Sequence, residues 1–173
     1  MKVKQEKLEQ YDFVNSDYIE KAEDHYAPSI GLFLIRFSEL EHTLDTAIAN
    51  HIADNAHEMG YLVIEGLGLH NKIELLRKLF HLHTKYLQPK RLARLKRLVK
   101  KLHELRVFRN YIAHANWSTL DKSGYVRTKI DEKDGEIILK KVRITPSKIE
   151  GWIGRIESLS EDLDEFADTM SDV

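Results

Sequence analysis

The stretch of this chain best equipped for chemistry is Arg106-Val-Phe-Arg-Asn-Tyr-Ile-Ala-His-Ala-Asn-Trp117. Placed on a helical wheel with Leu102 at zero and about 100° per residue, Leu95, Leu98, Val99 and Leu105 fall within about 60° of it and define an apolar stripe. On the same wheel Arg109 lies about 20° from the centre of that stripe and Arg106 about 40°, among the leucines. Asn110 and His114 are four residues apart and share a neighbouring face, as do Arg106 and Asn110. Two guanidiniums, an amide and an imidazole are thereby gathered beside a hydrophobic seam. An arginine taken out of water without a partner is costly, so Arg109 should meet an anion, an interface or a groove. Two readings stand open at this point. In one, Arg109 pairs with an acid of another helix, such as Glu39 or Glu41, and His114 caps the helix end. In the other, the patch is a functional site.

The elements that must carry these residues follow from periodicity. Three prolines, Pro28, Pro89 and Pro146, each precede a segment with helical spacing, where proline suits the first turn. After Pro28, the set Ile30, Phe33, Leu34, Phe37, Leu40, Leu44, Ala47, Ile48 and Ile52 predicts a long helix to about Ala53, preceded by an arm over residues 1–27 with one short helix at most. Gly60, Gly66 and Gly68 mark residues 55–70 as a loop. Ile73, Leu76, Phe80, His83 and Leu87 mark a second helix. A third, after Pro89, runs from Leu92 through Leu105 and on to Phe108 and Ile112.

Residues 121–145 differ in kind. Two β-branched, apolar-rich runs flank Asp131-Glu-Lys-Asp-Gly135, which predicts a hairpin turning at Asp134-Gly135. Thr145-Pro146 supplies an N-cap and first-turn proline for a last helix over 146–170, with Ile149, Trp152, Ile153, Ile156, Leu159, Leu163, Phe166 and Met170 on its apolar face. The expected fold is mainly α: an up-down bundle of four to five helices with a β-hairpin inserted before the last, in a single domain spanning residues 1–173.

Composition narrows the chemistry. The chain has no cysteine, which excludes a disulfide framework, a thiolate zinc site and a cysteine nucleophile. The longest apolar run, Ile30 to Ile35, is too short to span a bilayer, and the charged start MKVKQEKLEQY shows no signal peptide, so a soluble cytoplasmic protein without membrane contact is expected. The formal net charge of −1 conceals a strong asymmetry. Residues 87–109 hold nine Lys/Arg against one acid, Glu104, whereas seven Asp/Glu and no Lys or Arg follow from Glu157 onward. A near-neutral total therefore excludes no class of partner.

Arg109-Asn110-Tyr-Ile-Ala-His114 resembles the R-x4-6-H signature of HEPN domains, in which a polar residue, often asparagine, directly follows the arginine. The setting is also similar, with the motif late in a long helix of a helical bundle and another helix still to come. The resemblance covers roughly residues 28–170. It implies metal-independent RNA cleavage without a cofactor, in which the ribose 2′-OH attacks the adjacent phosphate. Arg109 would then hold the phosphate, His114 would move protons, and Asn110 would orient the histidine or the substrate. One helix offers one histidine, and the family pairs two motifs across a homodimer. A toxin or antiviral-defence effector, with an antitoxin or regulatory protein as a further partner, belongs to the same implication. One departure is visible: some toxin members carry a tyrosine two residues after the histidine, where this chain has Asn116.

For RNA as the substrate, Arg106, Lys101 and Arg97 are the candidate backbone contacts. Lys96, Arg97, Lys100 and Lys101 lie opposite Leu102, however, which is also what the solvated face of an amphipathic helix requires. The competing reading is a non-catalytic bundle of this kind that binds a nucleotide, RNA or a protein. A hairpin with an open edge would support pairing with another chain. Other constellations are weaker. Glu39-Leu-Glu-His42 has a metal-site spacing, but its nearest analogue is Asp54-Asn-Ala-His57 in the expected loop; His81 and His83 face different ways on a helix; Gly66-Leu-Gly68 lacks the rest of a phosphate loop.

Overall fold

The computed structural model describes residues 2–8, 16–53, 57–84 and 89–171. Leu87, and the side chains of His57, His83 and Met170, lie outside the described residues. The chain runs β1 (Val3–Lys7), α1 (Ser16–Ile52), α2 (His57–Ile64), α3 (Leu69–Thr84), α4 (Pro89–His114), a short 3-10 turn (Trp117–Thr119), β2 (Tyr125–Lys133), β3 (Glu136–Arg143) and α5 (Pro146–Ser171). It is a helical bundle with the expected hairpin before the last helix.

Three expectations are corrected. The first helix begins at Ser16, and Pro28 sits inside it. A proline there forfeits one backbone hydrogen bond and costs about 3 kcal/mol in isolation. The apolar spacing nevertheless continues upstream through buried Ala22 and Tyr26, and the Tyr26 hydroxyl donates to the Ile144 carbonyl at 3.0 Å while its ring meets Trp117. Tertiary anchoring outweighs the local penalty. Residues 1–27 are likewise no simple arm, because β1 pairs antiparallel with β3, from Val3 opposite Val142 to Lys7 opposite Ile138. The polar run VKQEK gave no sign of this; its ladder is fixed by backbone hydrogen bonds, with Glu6 between Lys4 and Lys141. Both lysines hold the Glu6 carboxyl below the usual range, Lys141 most. Residues 55–70, expected as a loop, contain α2. Gly60 permits it: a Cβ at this position would come within 2.4 Å of the Ala49 carbonyl oxygen, so α2 packs directly on the backbone of α1.

The chain forms two compact units, Met1–Leu34 with Phe108–Trp152, and Ile35–Val107 with Ile153–Val173. In the first, the sheet has order β1-β3-β2, so β3 is covered on both sides. Asp134 and Gly135 both take positive φ, 55° and 78°, as the tight hairpin turn requires. Val126, Leu139, Val142, Ile144 and Ile149 are buried, and Phe108 stacks on Trp152 at 4.7 Å with Phe33 edge-on at 5.3 Å. In the second unit, Phe37, Leu44, Ile48, Leu76, Leu98, Leu102 and Leu163 are buried, with Phe80 against Phe166 at 5.4 Å. Pro89 opens α4 and Pro146 opens α5, where the Lys148 amide donates to Thr145 Oγ1 at 3.3 Å.

Candidate functional site

The first unit holds Arg109, Asn110 and His114, all in the last two turns of α4. The leucine stripe of α4 does not run straight into them. Beyond Leu102 the buried line passes through Leu105, Phe108 and Ile112, rotating away from Arg109. Phe108 is what turns it, through its stacking with Trp152 and Phe33. Arg109 consequently sits at the border of the stripe, half-buried, rather than among the leucines, and it is engaged within the molecule. Asn110 and His114 are exposed one turn apart, and neither side chain makes a hydrogen bond among the described residues. The structure thus places the three together at one helix end, two open to solvent and one held.

That end is braced. His114 is the final residue of α4, and the carbonyls of its last turn find donors in the Trp117 indole, which reaches the Ile112 carbonyl at 3.1 Å, and in the Ala115 amide, which reaches Tyr111 at 3.1 Å. The Asn116 amide donates to the Arg127 carbonyl of β2 at 2.8 Å, Thr119 Oγ1 donates to the Asn116 carbonyl, and Thr119 Oγ1 accepts from the Arg127 amide. Asn116, where a tyrosine stands in some toxins of the resembled family, is therefore a tie between helix and sheet.

The second unit holds Arg97, Lys101 and Arg106. Arg97 and Lys101 are exposed on the polar face of α4. Lys101 is spoken for by α5: its Nζ lies 2.8 Å from Asp162, which Arg94 also reaches at 3.2 Å while contacting Glu165 at 2.6 Å. Lys101 is the larger influence holding the Asp162 carboxyl below the usual range. Arg106 is half-buried, and its Nε is buried without a hydrogen-bond partner.

Contacts between α3 and α4 bring together a group that sequence spacing did not single out. Glu74 accepts from Arg77 Nε at 2.8 Å and lies 3.1 Å from His103 Nε2, whose ring packs near His70 at 5.4 Å. Arg77 first, then His103, hold the Glu74 carboxyl below its ordinary value. Arg77 and His103, with His81, line a groove of about 610 Å³ that runs along α4. The only local signal was a run of basic and imidazole residues at helical spacing.

Glu39 pairs with Arg36 at 3.0 Å, and His42 is exposed. Among the described residues no cluster of three or more His, Asp or Glu could hold a metal ion, and no helix is long and apolar enough to cross a membrane. No family model, no curated protein and no solved structure matches this chain.

Proposed function

We propose that this protein is a metal-independent endoribonuclease of the HEPN type, acting at the end of α4. The observation that carries this reading is the placement of exposed Asn110 and His114, one turn apart and without side-chain hydrogen bonds among the described residues, beside half-buried Arg109. An imidazole open to solvent can reach a substrate proton, and a guanidinium beside it can hold a phosphate bidentately once it exchanges its internal contact for the substrate. In the reaction, the 2′-oxygen bonds to the adjacent phosphorus and the phosphorus–O5′ bond breaks. A base takes the 2′-hydroxyl proton and an acid supplies one to the leaving 5′-oxygen, giving a 2′,3′-cyclic phosphate and a 5′-hydroxyl. His114 of each of two copies supplies the acid and the base, Arg109 stabilises the phosphoryl oxygens, and Asn110 orients the histidine or the ribose. A cytoplasmic toxin or defence effector, restrained by an antitoxin or regulatory protein, is the setting such an activity fits.

The test is cleavage of a labelled RNA by purified protein in excess chelator. His114→Ala and Arg109→Ala should each slow it by at least about 10²-fold; an undiminished rate in both variants, or a requirement for magnesium, overturns the reading. A second reading, a non-catalytic bundle that binds RNA, a nucleotide or a protein, is favoured by one feature. Arg109 is already engaged within the molecule, as a guanidinium kept for structure would be. Binding of RNA without cleavage by the intact protein would select it.

A further inference from the structure

We infer that the groove between α3 and α4 is a binding track for single-stranded RNA, separate from the residues at the end of α4. The inference takes only its ligand class from the proposed function; its geometry stands on the second unit alone.

The α4 residues that line the groove are spaced at alternating steps of three and one from Leu92 to Val107. At 1.5 Å per residue this is one face of helix about 22 Å long. That length suits an extended strand better than a single small ligand. Its floor is apolar, made by Leu92, Leu95, Val99 and Val107, of which Val107 is 43% exposed. Its rim is mainly cationic, with one acid, Glu104, among the basic side chains. Lys96 and Lys100 stand one turn apart on α4, with Arg77 and His81 one turn apart on α3, and His103 between.

The state of these side chains distinguishes them from an ordinary solvated face. Lys96 has no ion pair among the described residues, and the nearest acid to Lys100, Glu104, is at the 4.0 Å limit of contact. Lys101, the neighbour of Lys100, is by contrast paired tightly with α5. Lys96 is left to meet an anion, and Lys100 can exchange its long contact with Glu104 for one. Glu74 meanwhile holds the Arg77 guanidinium and the His103 imidazole in place from outside the groove. Guanidinium and imidazole planes fixed beside an apolar floor are surfaces on which unpaired bases stack, while lysines follow the phosphates. An acidic amphipathic helix would match the same charge. The floor, however, is broken at every turn by Lys96, Lys100 or His103, which denies such a helix a continuous aliphatic seat.

The experiment measures fluorescence anisotropy of a labelled single-stranded RNA carrying 2′-O-methyl riboses, which cannot be cleaved by 2′-OH attack, on the full chain. The double variant Lys96→Glu/Lys100→Glu should weaken binding at least about tenfold. The neutral pair Lys96→Gln/Lys100→Gln should lower the slope of log affinity against log salt by about 1.4, roughly 0.7 for each lost phosphate contact. Lys96→Arg/Lys100→Arg should retain binding, and Lys78→Glu, a reversal elsewhere on α3, should leave it unchanged. Unaltered circular dichroism of each variant excludes loss of fold as the cause. Equal affinities for wild type and the double reversal overturn the inference. So does a groove that takes a glutamate-rich amphipathic peptide, or adenosine monophosphate alone, in preference to the RNA. Failure here leaves cleavage sensitive to His114→Ala, whereas failure of the nuclease reading leaves binding sensitive to Lys96 and Lys100.

Discussion

The end of α4 and the groove along its middle offer two different kinds of polar surface. At the end, Asn110 and His114 stand exposed, their side chains without hydrogen bonds among the described residues, close to a half-buried arginine. In the groove, the imidazole of His103 and the guanidinium of Arg77 are fixed by one carboxylate, Glu74, next to Lys96, which has no ion pair among the described residues, and Lys100, whose contact with Glu104 is a long 4.0 Å. The first arrangement leaves an acid/base group free to move a proton but unoriented. The second is oriented but has its histidine nitrogen already engaged. In the proposed nuclease, reactivity would belong to the helix end and affinity to the groove.

The helix end is most sensitive at Phe108, where the buried line turns away from Arg109. Phe108→Ala should remove about 3–5 kcal/mol of stability, seen as a lower urea midpoint, because it deletes a fully buried ring packed against Phe33 and Trp152. Lower on the scale of effect, Arg109→Ala should reduce cleavage by about 10²–10³-fold with groove affinity retained. If the two fall together, the distinction between the regions is wrong.

Legibility in the sequence divided along similar lines. That Asn110 and His114 share one helix face was legible from spacing, because both lie on one helix and local periodicity is preserved in the fold. The hairpin was legible for the same reason: Asp134-Gly135 dictates its own turn. The Glu74–His103 contact was not, since it joins residues of different helices and no local pattern encodes it. The exact place of Arg109 was also missed, because the turn of the stripe depends on rings from α1 and α5 meeting Phe108. The start of α1 at Ser16 and the polar strand β1 escaped for a related reason. Pro28 and VKQEK have poor intrinsic propensity, and each is held by distant partners, Ile144 and β3.

A smaller effect sharpens the contrast between the lysines of α4. Asp162, which engages Lys101, has its carboxyl held below the ordinary aspartate value of 3.8, by Lys101 first and Arg94 next. Between that lowered value and 3.8 the unfolded chain binds the proton more tightly than the folded one. The pairing therefore contributes its full stability above about pH 4 and loses it as the pH falls further. Asp162→Asn should cost about 0.2–1 kcal/mol at neutral pH, given the partial exposure of all three groups, and the cost should vanish in thermal melts taken well below pH 4. Smaller still, Lys78→Glu should alter neither stability nor RNA affinity by more than about 0.5 kcal/mol.

The central claim rests on His114. With a labelled RNA in excess chelator, wild-type protein should yield fragments ending in 2′,3′-cyclic phosphate. His114→Ala should slow their formation by about 10²–10⁴-fold while binding the 2′-O-methyl RNA as tightly as wild type. Cleavage at an undiminished rate in His114→Ala, or no cleavage by the wild-type protein under any metal-free condition, would contradict it.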